Sequence, residues 1–198
     1  ILASGFNLRL DWTAEKRFSI SQPTKDLLGN LEDIVGITVY LGDEGLTPNL
    51  TRLRAETLSL LERFERESGG NVVFQVLDPN AIEDRDKRLA LFKELQDRSL
   101  LSVELRSGAE AGEGFEQRYI FPYAEVEYRG SEPEVVVLTD QFSPVITPMW
   151  DPEAAVALLE YNFARAIREL TVPVKPRIGF VTGQGELDSM SVLDLNYS

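Results

Sequence analysis

Between Ile34 and Leu77 the order of apolar runs leaves few folds open. Ile34–Leu41, with ITVYL at its centre, is rich in β-branched residues and bounded by Gly36 and Gly42, the pattern of an interior strand. Gly42-Asp43-Glu44-Gly45 reads as a loop. Thr47 then caps a long helix with Pro48 at its first position, and Leu50, Leu53, Thr57, Leu60, Leu61 and Phe64 return at helical spacing. Gly69 and Gly70 stop that helix, and Asn71–Leu77 forms a second strand closed by Asp78-Pro79-Asn80. A strand, a helix and a strand in this order make a βαβ unit. Its strands are expected to run parallel through a right-handed crossover and to need cover on both faces.

The flanking sequence extends this unit. Phe6, Leu8, Leu10 and Trp12 alternate imperfectly with Asn7, Arg9 and Asp11, as in a half-buried strand. Ser19 or Ser21 caps a short helix with Pro23 in its first turn and Leu27, Leu28 and Leu31 on its apolar face. Glu83–Arg98 is helical with Leu89, Phe92 and Leu95 inward, and its charges, Glu83 to Lys87 and Asp84 to Arg88, stand at i,i+4 spacing on a solvated face. Leu100–Leu105 reads as a third strand. Ser107–Gly114 is a small acidic loop, and Gln117–Tyr128 and Glu134–Leu138 form an antiparallel hairpin turning at Arg129-Gly130-Ser131. Asp151 caps a last helix with Pro152 at N1, whose buried stripe is Ala155, Leu159, Phe163, Ala166, Ile167 and Leu170.

The expected class is therefore α/β: a mixed, largely parallel sheet with helices on both faces, in thioredoxin-like or flavodoxin-like order, plus the hairpin. Pro173 and Pro176 bracket a stiff connector, which divides the chain into a domain over 1–172 and a linker with the first strand of a following, truncated segment over 173–198.

Composition narrows the chemistry. Among 198 residues there is no Cys and no His, so thiol nucleophiles, disulfides, Cys-held metals and a Ser/His/Asp triad are all excluded. Catalysis would rest on carboxylates, Lys, Tyr or hydroxyls, and the expectation is of no enzyme, no cofactor and no metal. With 33 acidic against 20 basic residues the net charge is −13, which repels nucleic acid and anionic lipid and favours a basic partner. No run approaches the roughly 20 apolar residues of a membrane span.

The one ligand-like pattern is Lys175–Leu187, KPRIGFVTGQGEL. Ile178-Gly179-Phe180-Val181 reads as a strand, and Gly183, Gln184, Gly185 and Glu186 form the turn that leaves it, where bare amides can meet an anion or a hydroxyl. The turn lacks the third glycine of a dinucleotide fingerprint and the Lys of a P-loop. A phosphate- or metal-dependent enzyme centred on it, with Asp188 and Asp194 as further carboxylates, is the least favoured reading. A tight turn that needs positive φ is the favoured account of the glycines.

Two stretches carry a resemblance. Arg9-Leu10-Asp11-Trp12-Thr13-Ala14-Glu15-Lys16-Arg17-Phe18-Ser19-Ile20-Ser21 resembles the segment that follows the membrane helix in GldG-like gliding-motility proteins, auxiliary components of bacterial ABC transporters. Arg177–Leu187 resembles the apolar strand of that family ending in Gly-His-Gly-Glu, with Gln184 standing where the family commonly has His. The resemblance implies a non-catalytic periplasmic module linked to gliding motility and anchored to the inner membrane by a helix upstream of Ile1. It also implies a chain that continues past Ser198. Its partners would be permease and ATPase subunits or other envelope proteins. The resemblance also brings in carbohydrate binding, for which Trp12, Trp150, Tyr123, Gln184 and Glu186 are the candidate contacts.

Overall fold

A computed structural model describes residues 19–107, 116–139 and 152–172. Its elements are α1 (Gln22–Gly29), β1 (Val35–Val39), α2 (Pro48–Glu67), β2 (Val72–Val76), α3 (Arg85–Asp97), β3 (Val103–Ser107), β4 (Glu116–Ile120), β5 (Tyr123–Tyr128), β6 (Glu134–Val137) and α4 (Glu153–Thr171). The main sheet has the order β2-β1-β5-β6, and β3 pairs with β4 in a second, two-stranded sheet.

The βαβ unit forms as its residues dictate. Thr47 caps α2 with its side chain accepting from the Leu50 amide at 3.4 Å, and Pro48 occupies the first turn. At the other end Gly69 and Gly70 take positive φ. Their amides donate to the carbonyls of Arg66 and Glu65, closing the helix. β1 and β2 pair in parallel with Val35 opposite Val72 and Val39 opposite Val76. β1 pairs antiparallel with β5, and β5 with β6. The class is thus the expected α/β with a mixed sheet, its parallel part being one pair. The antiparallel strand beside β1 rules out the flavodoxin-like order and leaves the thioredoxin-like one.

Two strands fall otherwise than the spacing predicts. The single run Gln117–Tyr128 is two strands, because Pro122 has no amide to continue a ladder. The Tyr123 amide folds back to the Phe121 carbonyl at 2.8 Å there, and the chain passes from the small sheet to the main one. The third strand begins at Val103 rather than Leu100 and joins β4 instead of the main sheet. The β5–β6 hairpin turns where predicted, with Arg129 and Gly130 both at positive φ and the Ser131 amide donating to the Tyr128 carbonyl.

One face of the sheet carries α1, α2 and α4. Val35, Ile37 and Val39 point into this core, with Ala124, Val126 and Val136 beside them. They meet Leu53, Leu60, Leu61 and Phe64 of α2 and Leu159, Phe163 and Ile167 of α4. Phe64 and Phe163 meet edge to face at 6.5 Å. Pro152 is the N-cap of α4, one residue later than the expected Asp151, which lies outside the described residues. The opposite face has a smaller cluster of Tyr40, Leu95, Leu100 and Phe121, with Leu91, Phe92, Tyr123 and Val135 packed on it. Leu89, expected inward, is instead 52% exposed, and Leu91 packs in its place. The i,i+4 pairing expected of Asp84 gives way to capping, since its carboxylate accepts from the Asp86 and Lys87 amides.

Candidate functional site

The predicted turn residues Gly183, Gln184, Gly185 and Glu186 lie outside the described residues, as do Trp12, Trp150, Asp188, Asp194 and the expected strand Phe6–Trp12. Tyr123, the remaining carbohydrate candidate, is partly buried under α3. Burial raises its hydroxyl pKa, opposed by a hydrogen bond with the Leu101 backbone. Among the described residues no group of carboxylates is placed to hold a metal ion. No described helix is long and apolar enough to cross a membrane.

The described residues leave three features to consider. The first is polar and closed. The Glu125 carboxylate, 2% exposed, accepts from the Tyr40 hydroxyl at 2.6 Å and from Arg98 Nη1 at 2.7 and 2.6 Å. Burial, and then Glu125 itself, push the Tyr40 pKa above its ordinary value, so the phenol stays protonated and donating. Burial works against the Arg98 charge, yet Glu125 and Tyr40 hold its pKa up. Arg98 reaches this site because α3 ends there: Ser99 takes φ 65°, and the Ser99 and Leu100 amides return to the carbonyls of Gln96 and Leu95. Both Glu125 oxygens are occupied, so the network fastens α3 to the sheet and leaves no free base.

The second is a groove of about 740 Å³ between α1 and α4, lined by Leu27, Ala157, Tyr161, Arg165 and Arg168 among others. Tyr161 is 65% exposed there. Glu160 closes its floor by accepting from the Ser21 amide at 2.9 Å and the Thr24 hydroxyl at 2.7 Å. Burial raises the Glu160 pKa, but these bonds and the Arg63 charge outweigh it and hold the value below 4.5.

The third is the outer edge of β2. The Val35 amide donates to the Asn71 carbonyl and the Leu77 amide to the Val39 carbonyl. In a parallel ladder both backbone groups of a residue point the same way and alternate along the strand. Asn71, Val73, Gln75 and Leu77 therefore address β1, and Val72, Phe74 and Val76 turn outward. Ser68 Oγ accepts the Val72 amide at 2.9 Å, consistent with that direction. No described strand pairs with the amides and carbonyls of Phe74 and Val76. The side chains around them are uncharged, with Val73 42%, Val76 37% and Leu77 36% exposed and the polar Gln75, bonded to Thr38, between Val73 and Leu77 on the second face. α3 supplies cover only over Tyr40, Tyr123 and Val135, so the expected cover on the second face does not reach β2. The sequence signal was present: Val72–Leu77 contains no charge and no Pro.

A family model described as a domain of unknown function (DUF7088) matches residues 14–127, from before α1 through most of β5. No curated protein and no solved structure matches the chain.

Proposed function

The chain belongs to the DUF7088 family of unknown function, and from that premise we propose that it is a non-catalytic contact module. In this reading it is the extracytoplasmic part of a membrane-anchored protein that works beside an ABC transporter in gliding motility. The observation that carries the contact role is the outer edge of β2, a chargeless strand with exposed apolar side chains on both faces. Natural edge strands are usually blunted by Lys, Pro or a covering element. Composition supports the same reading, since a thioredoxin-like order without Cys carries no dithiol chemistry. The periplasmic, membrane-complex placement rests on the resemblance of Arg9–Ser21 to GldG-like proteins.

The test is crosslinked affinity purification from native membranes with the chain as bait. Recovery of permease and ATPase subunits, or of other identified envelope proteins, is expected. Membranes that yield neither would sink the proposal.

A further inference from the structure

The edge of β2 offers more than an apolar surface, because its backbone specifies the shape of what can cover it. The Phe74 and Val76 residues each present an amide and a carbonyl outward, two residues apart, and Val72 adds a carbonyl. Donors and acceptors that recur every second residue along a straight line match another extended strand and not a helix. The occupant meets apolar side chains on both sides of the ladder, Phe74 and Val76 toward the main core and Val73 and Leu77 on the other face. A second copy of this chain would bring a charge of −13 against −13, which disfavours pairing of the edge with itself. Asp78, which follows the strand, has its carboxylate turned to the Asn80 amide and against Gly42, so the preference for basic flanks rests on the net charge of the whole chain.

We propose that the outer edge of β2 is a docking edge for an extended segment of a partner protein, apolar at its centre and basic at its flanks. This rests on the contact-module reading above and names the chemistry of the partner. Binding proceeds by strand addition over Phe74 and Val76. It stops at Val72, whose amide Ser68 already holds.

The experiment uses the 198-residue chain and a synthetic probe, acetyl-Lys-Lys-Val-Thr-Val-Thr-Val-Lys-Lys-amide, with a Glu-flanked peptide of the same centre as control. Val76→Pro removes an outward donor and leaves the β1–β2 ladder its bonds, so the variant should fold, as circular dichroism will show. The expected result is binding of the basic probe at least tenfold tighter than the acidic one, loss of that binding by at least tenfold in V76P, and slowed exchange of the Phe74 and Val76 amides on binding. Amides already protected in the dilute chain without probe would assign the edge to a segment of this same chain and overturn the proposal. Protection that grows with protein concentration would assign it to a second copy and overturn the proposal as well. Equal binding of the two peptides, or none, also overturns it. If V76P still recovers the envelope partners that the unaltered chain recovers, the strand-addition inference fails while the contact-module reading stands.

Discussion

The two faces of the main sheet are held by different physics. On the α1–α2–α4 face, strand residues of one parity meet helical stripes and the contact is apolar, with Val35, Val39, Leu61, Phe64 and Phe163 all fully buried. On the α3 face the apolar cluster is small, and one helix is fastened by a charge network centred on Glu125. Apolar burial is roughly additive and tolerant of direction, whereas a buried carboxylate is worth keeping only while both partners stay in place. The first face should therefore set global stability and the second should set local order.

The largest effect should come from Phe64→Ala, which removes a ring buried against Phe163 and leaves a cavity. About 3–5 kcal/mol of stability should be lost in denaturant titration, with both faces unfolding together. Arg98→Ala should cost about 2 kcal/mol, less than for a fully buried pair because its side chain is 35% exposed. Hydrogen exchange should then quicken in α3 while α2 keeps its protection. Replacing the whole network together, as Arg98→Met, Glu125→Leu and Tyr40→Phe, should restore most of that loss, since the desolvated charge disappears with its partner and no buried hydroxyl is left without an acceptor. A double-mutant cycle that shows no coupling would remove the distinction between the faces.

The apolar face also carries a polar tie between the start of α1 and α4, and acid tests it. Glu160 has a depressed pKa in the folded state, so its contribution is present above the ordinary value of 4.5 and is lost as pH falls through the folded value. Glu160→Gln should lower stability by about 1 kcal/mol at neutral pH and flatten the acid limb of a melting-temperature profile. The smallest effect should be a gain. Ser99 closes α3 in the left-handed region, so Ser99→Gly should stabilise the α3 face by about 0.5 kcal/mol, read as slower exchange at the end of that helix.

Elements with strong local signals were legible in the sequence. Thr47-Pro48, Gly69-Gly70 and Arg129-Gly130 each mark a boundary by backbone chemistry alone, and each stands where the structure has it. Pairing was less legible. Pro122 marks the break in its run, but nothing local tells that the two halves serve different sheets, or that β5 lies beside β1, because strand neighbours depend on contacts far apart in the chain. The Glu125 network was missed for the same reason: an acid in a strand is ordinarily solvated, and its burial follows only when α3 brings Arg98 over it. The β2 edge was half legible, since its missing charges are visible and its lack of a neighbour among the described strands is not. The Gly-Gln-Gly-Glu turn stays a sequence expectation outside the described residues.

The central position of β1 has a consequence for the order of assembly. Its bond to β2 through Gln75 and Thr38 spans 37 residues, while its tie to β5 through Tyr40 and Glu125 spans 85. Closing the longer loop costs more chain entropy before any contact repays it, so the β1–α2–β2 unit should be the early nucleus and the β5–β6 hairpin the late arrival. A polypeptide emerging from the ribosome would hold that nucleus for some time before its second sheet neighbour exists.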